Sequence, residues 1–355
     1  MRLYARPLLL AVLGASCAAV GSEPIAGEPP HHVEGGFRNM DPTVQRASGA
    51  ARFKFMWSRA WASARESHVP RRPNDGAGLR ANHMEPTVTW IGHATVLLQL
   101  QGVNLLTDPH WSRRASPLSW AGPKRLQEPG LAFEDLPPIH VILISHDHYD
   151  HLDVATVKRL HAVHDPVFVV PLGLKAWLQG EGISRVVELD WWGAVEHGGL
   201  RIFCTPAQHF SQRSPWDANT RLRASWAVLG ADRRFYFSGD TGYFAGFREI
   251  GEKLGPFDLT AMAIGAYMPP AIMRSIHLTP EQAVQAHEDL RGKQLVGIHW
   301  GTVDLAEEPL DKPHAEATRR IAPSSRRSEK RAAGKMKPAW PAGCSSWKTS
   351  GTSAT

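Results

Sequence analysis

The most informative stretch of the sequence is His146-Asp147-His148-Tyr149-Asp150-His151, which follows the apolar run Val141–Ile144 after a single residue, Ser145. The run carries imidazole and carboxylate groups, the usual ligands of zinc-like ions, at the end of a predicted buried strand. In a loop leaving a strand, alternate residues can converge on one point and their neighbours on a second. We therefore predict that His146 and His148 serve one metal ion, and Asp150 and His151 another.

Two ions need more ligands than one loop supplies, so further ligands are expected at the ends of later strands. His209, Asp240 and His299 each come at or shortly after the end of a short strand-like run. Gly239, just before Asp240, permits a tight turn that exposes the carboxylate. Each residue alone is as consistent with a structural role, but together they repeat one arrangement, a strand followed by a ligand.

The ordered set H-x-H-x-D-H, His, Asp, His resembles the metallo-β-lactamase-fold hydrolases, and the resemblance extends from Thr87 to Asp311. It implies an α/β fold, an αββα sandwich with a dinuclear metal site at one edge. Four more segments look like the branch that includes the phospholipase D acting on N-acylphosphatidylethanolamine. These segments are Thr89–Thr95, Leu105–Pro109, Ser238–Thr241 and Ile298–Thr302.

The resemblance also implies roles for individual residues. Asp240 would bridge two divalent ions, and Asp147 would orient a ligand or the attacking water. His93 and Asp108 would lie near the site as buried polar support. Zinc is favoured by the ligand types, with iron or manganese as alternatives. The first ion would be held by His146, His148 and His209, and the second by Asp150, His151 and His299.

A metal pair lowers the pKa of a shared water toward neutrality and so supplies hydroxide at ordinary pH. No serine or cysteine nucleophile is then required, and no clear G-x-S-x-G motif is present. The sequence therefore predicts a hydrolase.

His277 is the residue most informative about substrate class. It precedes Thr279-Pro280-Glu281-Gln282, a pattern that predicts a helix start with a capping box. A helix N-terminus favours anions, and the phospholipase-like branch places a phosphate-contacting histidine here. His277 is thus predicted to bind substrate and act in catalysis, with a capping or core histidine as the alternative. Tyr149 is a second candidate for substrate contact, the alternative being simple packing over the loop.

The function predicted is a phosphodiesterase of the phospholipase D type, in which metal-bound hydroxide attacks an N-acylated or related phospholipid. The alternative within enzymes is a lactonase or another carboxylic-centre hydrolase, because the same hydroxide attacks carbonyls. A metal-binding protein with little turnover is the alternative outside enzymes. The acyl length and the oligomeric state stay open.

The 355 residues are predicted to form one large domain, at residues 87–317, after an extension at 22–86 that packs on it. Residues 1–21 have the charge and apolar pattern of a signal or lipoprotein segment, with Cys17 as a candidate for lipidation. Export to the periplasm or a membrane anchor is favoured, and a cytoplasmic location is the alternative. With Cys17 removed, two cysteines remain, and no structural disulfide is predicted.

The formal charge of +6 does not indicate a nucleic-acid partner. Residues 318–355 hold nine of the 40 Lys and Arg and one of the 34 Asp and Glu, which leaves 31 basic and 33 acidic residues elsewhere. We predict that this basic tail is disordered. The abrupt loss of the family-like pattern after about Lys312 is also what an altered reading frame would produce. Arg46–Arg72 mixes aromatic and basic residues, so a helix there either packs on the domain or contacts a membrane surface peripherally.

The periodicity predicts alternating strands and helices in the central region. Predicted strands are Val88–Ile91, Val96–Leu100, Val103–Leu106, Val141–Ile144, Val167–Val170, Val186–Leu189, Leu200–Phe203, Trp226–Leu229, Arg234–Phe237 and Leu295–Ile298, and predicted helices lie near Val154–Val163, Ala245–Leu254 and Pro280–Leu290.

Overall fold

The computed structural model describes residues 20–21, 23–41, 47–60, 69, 72, 74–319 and 345–346. Most of the predicted targeting segment and most of the basic tail lie outside these residues. Within them, no helix combines the length and the apolar character needed to cross a bilayer.

The strands are β1 (His32–Val33), β2 (Gly36–Phe37), β3 (Thr87–Gly92), β4 (Thr95–Leu100), β5 (Val103–Thr107), β6 (Val141–Leu143), β7 (Val167–Pro171), β8 (Val186–Leu189), β9 (Ala194–His197), β10 (Leu200–Pro206), β11 (Ala224–Leu229), β12 (Arg234–Phe237), β13 (Leu259–Ala263), β14 (Leu295–Ile298) and β15 (Ser345–Ser346). The helices are α1 (Gly49–Ala60), α2 (Ala77–Ala81), α3 (Val154–His164), α4 (Lys175–Gly180), α5 (Gly246–Leu254), α6 (Pro270–Met273) and α7 (Pro280–Asp289), with a final helix over residues 312–319.

Two large mixed sheets form the centre of the molecule. The first has the strand order β15-β3-β4-β5-β6-β7-β8, and the second has the order β14-β13-β12-β11-β10-β9. In the first sheet β3, β4 and β5 are antiparallel and β5 to β8 are parallel. In the second sheet β9 to β12 are antiparallel and β12 to β14 are parallel. The two sheets therefore repeat one pattern of antiparallel and parallel pairs.

The hydrophobic residues divide into layers that define an αββα sandwich. Along β4, Leu98 joins the core between the sheets, whereas Leu97 joins an outer core beneath α3 and α4. This alternation is expected of a strand that is buried on both faces. A second outer core packs α5 and α7 onto the other sheet, through residues such as Phe247 and Val284. The predicted fold is thus confirmed.

Trp226 connects the two sheets below the site. Its side chain is fully buried in the core between the sheets. Its indole Nε1–H donates to the carbonyl of Ile144 at 3.1 Å. Because Ile144 lies just before the H-x-H-x-D-H loop, this bond holds the start of that loop against the second sheet.

All of the predicted strands and helices of the central region are present, with small differences at their ends. The prediction missed strands β9 and β13 and the short helices α2, α4 and α6. Strand β13 is fully buried and reads Leu-Thr-Ala-Met-Ala, so it lacks the alternation that marks a strand. Helix α4 has only six residues, too few to show helical periodicity.

The chain segments outside the sandwich are partly described. Helix α1 contacts the domain through Phe55, which packs on an apolar cluster, and Arg59, which pairs with Asp304 at 2.6 Å. In the predicted disordered tail, Ser345–Ser346 instead form β15 on the edge of β3. Of the cysteines, Cys204 is buried and free, and the other two lie outside the described residues.

Candidate metal centre

The candidate ligands all follow the carboxyl ends of strands at one edge of the sandwich. The H-x-H-x-D-H loop follows β6, His209 follows β10, Asp240 follows β12, and His299 follows β14 directly. Because these ends lie at the same edge, residues far apart in sequence meet in space.

The first group of potential ligands contains His146, His148, His209 and Asp240. Nδ1 of His148 lies 2.8 Å from Nε2 of His146 and 3.3 Å from Nε2 of His209. Asp240 Oδ2 is 3.8 Å from His209 Nε2. Three imidazole nitrogens and a carboxylate thus face one point.

The second group contains His93, Asp150, His151 and His299. Asp150 Oδ2 lies 3.3 Å from His151 Nε2 and 3.4 Å from His299 Nε2. Asp240 reaches this group as well, because its Oδ2 is 3.1 Å from His151 Nε2 and its Oδ1 is 3.2 Å from His299 Nε2. Asp240 therefore lies between the two groups, where a bridging ligand would be.

His93 and Asp108 both lie in the site. His93 Nε2 is 2.8 Å from Asp150 Oδ2, so His93 contacts the potential ligand directly. Asp108 Oδ2 accepts a hydrogen bond from His151 Nδ1 at 2.7 Å. His93, Asp108 and His299 all have positive φ values, at 52°, 35° and 60°. Such backbone conformations are uncommon for residues other than glycine, and they concentrate at functional sites.

Hydrogen bonds to the outer nitrogens orient two of the imidazoles. Asp108 holds Nδ1–H of His151, and the carbonyl of Ile276 accepts from Nδ1 of His209 at 2.8 Å. In its neutral form an imidazole carries one proton, so with that proton on Nδ1 each of these rings would present an unprotonated Nε2 to the centre. This arrangement is typical of metal-bound histidines.

The electrostatics of the centre favour a bound cation. Burial lowers the pKa of His148 to about 3, so this imidazole is neutral near pH 7 and can act as a ligand. Burial opposes charge on His299 as well, but Asp240 and Asp150 outweigh it and raise its pKa to about 9. The same two carboxylates thus attract positive charge to this buried site.

The residues present fit a pair of divalent metal ions. Within the described part of the chain, His151 Nε2 and Asp240 Oδ1 are buried atoms that form no hydrogen bond. Nε2 of His209 faces Nδ1 of His148 with its lone pair, a contact that is stable only if a cation or a proton lies between them. Cations at these two points would satisfy the buried atoms.

The turn before Asp240 depends on glycine. Gly239 has a φ of 52°, as the predicted tight turn requires. A Cβ atom there would lie 2.6 Å from Cβ of Ser145, the residue before His146. A side chain at position 239 would therefore push Asp240 and the H-x-H-x-D-H loop apart.

Asp147 lies beside the metal groups but forms bonds to other elements. Its Oδ2 pairs with Arg221 at 2.8 Å, and its Oδ1 accepts from the backbone N–H of Gln212 at 2.8 Å. Arg213 also donates to the Asp147 carbonyl at 2.6 Å. Asp147 thus ties the H-x-H-x-D-H loop to the loop that carries His209.

Tyr149 also contributes to the contact between the H-x-H-x-D-H loop and the loop that carries His209. Its hydroxyl donates to the Arg213 carbonyl at 2.8 Å, and the Arg213 guanidinium lies 4.1 Å above its ring. Sequence reasoning missed Arg213 and Arg221, because no local pattern marks an arginine that pairs with a residue more than sixty positions away.

His277 lies at the centre, close to both groups. Its Nδ1 is 3.9 Å from Asp240 Oδ2, and it forms a third potential ligand group with Asp240 and His299. Among the described residues, this buried Nδ1 has no hydrogen-bond partner. The predicted capping box of α7 is confirmed, with Thr279 and Gln282 bonded to each other. Since the box uses the N–H groups of both residues, the His277 side chain is the stronger candidate for an anion contact.

Comparison with known proteins agrees with this geometry. Residues 103–300 match the family model described as beta-lactamase superfamily domain. The chain is 48% identical over 240 residues to N-acyl-phosphatidylethanolamine-hydrolyzing phospholipase D 1 of Caenorhabditis elegans, covering 63% of this chain and 67% of that protein. It is 28% identical over 225 residues to a UPF0173 metal-dependent hydrolase of Methanopyrus kandleri, covering 62% of this chain and 86% of that protein. A metallo hydrolase from Ignicoccus hospitalis superimposes with a TM-score of 0.55 at 19% identity, over 75% of this chain and 100% of that one.

Fold, clustered ligands and family match together define a metal-dependent hydrolase with the metallo-β-lactamase fold. The chain belongs to the beta-lactamase superfamily, and it resembles the phospholipases D that hydrolyse N-acylphosphatidylethanolamine.

Proposed function

We propose that this protein is a phosphodiesterase of the phospholipase D type, which acts on N-acylated or related phospholipids. The observation that carries the proposal is the position of His277, buried beside Asp240 and His299 with an unbonded Nδ1 in the described structure. The similarity to the nematode phospholipase D supports the same substrate class.

Two zinc ions are the proposed cofactors. His146, His148 and His209 would hold one ion, Asp150, His151 and His299 the other, and Asp240 would contact both. Bound divalent ions activate a water and neutralise charge on a phosphoryl oxygen. His93 would support Asp150, and Asp108 would support His151.

The side chain of His277 is suited to contact a phosphoryl oxygen. Burial lowers its pKa to about 4, so at neutral pH it is an uncharged imidazole with one N–H to donate. The α7 N-terminus adds a favourable field for an anion. Asp147 has its carboxylate engaged with Arg221, so we assign it to positioning the loops rather than to proton transfer.

An apolar cluster borders the centre and suits a lipid substrate. Ile276 precedes His277 and Phe210 follows His209 in sequence, and both pack in this cluster with Phe55 of α1. Acyl chains would lie against such a surface when the phosphate contacts His277.

The test compares three substrates on purified protein of known metal content. N-acylphosphatidylethanolamine in micelles is expected to release phosphatidate, and the reaction should stop with a chelator. A simple phosphodiester and an aliphatic lactone should react far more slowly. His277→Ala should reduce kcat/KM on the order of 100-fold, the scale for losing one well-placed donor, whereas His161→Ala on α3 should leave it unchanged. Lactone turnover with inert phosphodiesters would overturn the substrate class.

We also propose peripheral contact with a membrane through α1. Trp57 on this helix is 46% exposed, and the nearby residues of the segment include basic side chains. An aromatic residue beside cations suits a headgroup surface. Trp57→Ser should weaken sedimentation with anionic vesicles without changing turnover of a micellar substrate. Equal sedimentation of both proteins would contradict this contact.

A further inference from the structure

A second cluster of ligand side chains lies where the N-terminal segment meets the residue after β8. His31, His32 and Asp190 each offer an atom within 4.8 Å of the others. We propose that this N-terminal cluster is an additional metal site, which holds one divalent transition ion such as zinc. The proposal is independent of the substrate of the dinuclear centre.

Both imidazoles point at one carboxylate. His31 Nε2 lies 2.7 Å from Asp190 Oδ1, and His32 Nε2 lies 2.8 Å from Asp190 Oδ2. The two rings meet edge to face, with their centroids 4.6 Å apart. Neighbouring residues of an extended chain normally point to opposite sides, so this convergence requires the turn at Pro30 and His31 that leads into β1.

Glu28 determines which nitrogen of neutral His32 carries the proton. Its Oε2 lies 2.8 Å from His32 Nδ1. An ionised carboxylate only accepts hydrogen bonds, so Nδ1 of His32 carries a proton. In neutral His32 the lone pair of Nε2 then faces an oxygen of Asp190, and this contact is repulsive. Positive charge must therefore lie between Nε2 and Asp190, supplied by a second proton or by a metal ion.

The surrounding contacts favour the metal ion. A carboxylate on the outer nitrogen, here Glu28, is the usual support of a metal-bound imidazole. His31 adds a second imidazole, which is buried and stacks on Trp191 at 4.1 Å. The backbone N–H of Trp191 donates to Asp190 Oδ1 at 2.7 Å and orients the carboxylate. Two imidazoles and a carboxylate are a common zinc ligand set, with water in the remaining position.

The cluster is accessible to an ion and ready to bind it. The side chains of His32 and Asp190 are 18% and 29% exposed. A bound ion would join the segment around β1 and β2 to the connection between β8 and β9.

Metal counting on the full chain, without an affinity tag, tests the site. The wild type and three variants are dialysed against a series of buffered free zinc concentrations. Bound zinc per chain is then measured by mass spectrometry, and hydrolytic turnover is measured on the same samples. The variants are His32→Asn, which removes a ligand, Glu28→Gln, which removes its support, and His197→Asn on β9, a control outside the described ligand groups.

The wild type and His197→Asn should bind one more zinc per chain than His32→Asn, with equal turnover in all four proteins. Glu28→Gln should weaken binding of this zinc by about 10- to 100-fold. The readout is the difference in bound zinc per chain between variants, so it does not depend on how many ions the dinuclear centre binds. If His32→Asn fails to fold, Glu28→Gln decides, because that side chain is 46% exposed. Equal zinc binding by wild type and Glu28→Gln, or an additional zinc that survives His32→Asn, would overturn the proposal and leave a proton between the groups.

Discussion

Replacing Asp108 by asparagine should weaken the binding of one of the two proposed metal ions while leaving the fold in place. Asp108 and His151 are both fully buried. Asp108 accepts hydrogen bonds from His151 Nδ1 at 2.7 Å, from the Ser145 hydroxyl at 2.6 Å and from the Ser145 N–H at 2.7 Å. Asparagine has one acceptor oxygen, so its amide N–H would face a donor. His151 escapes this conflict by moving its proton to Nε2, the nitrogen that faces the metal centre.

The size of the effect follows from the role of such outer partners. Losing one typically weakens metal binding 10- to 100-fold, which corresponds to about 1.4 to 2.7 kcal/mol. The unsatisfied donor should also lower the free energy of unfolding by about 1 to 3 kcal/mol. The proposed ion at His151 should respond most, because His151 bonds Asp108 directly, whereas His146 is linked to it only through the Ser145 hydroxyl.

Competition with a chromophoric chelator measures the two affinities separately. Asp153→Asn is the matched control, since Asp153 is also a buried carboxylate, which caps α3 and accepts from the N–H of Ser112 at 2.9 Å. The control should lose stability but keep both metal affinities within about twofold. If Asp108→Asn also keeps both affinities, the tautomer of His151 does not control metal binding.

Three further predictions concern other parts of the fold. Gly239→Ala should lower both the metal content and the melting temperature. The left-handed backbone costs a non-glycine residue about 1 to 2 kcal/mol, and the new Cβ would lie 2.6 Å from Cβ of Ser145. A wild-type metal content would contradict this prediction. Thr279→Ala should cost about 1 kcal/mol in urea unfolding through loss of the α7 cap, and an unchanged midpoint would refute it. Burial lowers the pKa of His287 to about 4, so the folded state favours its neutral form. The contribution of His287 to the free energy of unfolding is therefore complete above the unfolded-state pKa of 6.5 and is lost as the pH falls toward 4. Between these two pH values His287→Gln should therefore lose up to about 3 kcal/mol less stability than the wild type. Parallel plots of the free energy of unfolding against pH for the two proteins would exclude the effect.

The strands and helices that the sequence predicted have either a clear period or, like Val141–Ile144, a short apolar run of strand-forming residues. Leu200–Phe203 and Pro280–Leu290 are periodic, and both elements are present close to the predicted bounds. Strand β13 was missed because burial on both faces removes alternation and because Leu-Thr-Ala-Met-Ala contains only one β-branched residue, Thr260. Its place between β12 and β14 is set by the sheet rather than by its own residues.

The local features of the candidate metal centre could also be predicted from the sequence. A strand followed by H-x-H-x-D-H, and later strands that end in His209, Asp240 and His299, indicated both the ligand types and the edge of the sheet. The capping box beside His277 was also readable, because its two partners are three residues apart. Such features depend on backbone geometry over a few residues, which the sequence alone determines.

The pairing of distant side chains depends on the tertiary structure. It placed Arg221 against Asp147, Asp108 behind His151, and Asp190 between His31 and His32. These pairs join residues from 43 to 159 positions apart, and no periodic pattern encodes them. The candidate ligand types and the strands that carry them are local and could be predicted from sequence. Tertiary packing set the hydrogen-bond partners of the histidines and the second cluster, because these depend on which distant groups come together.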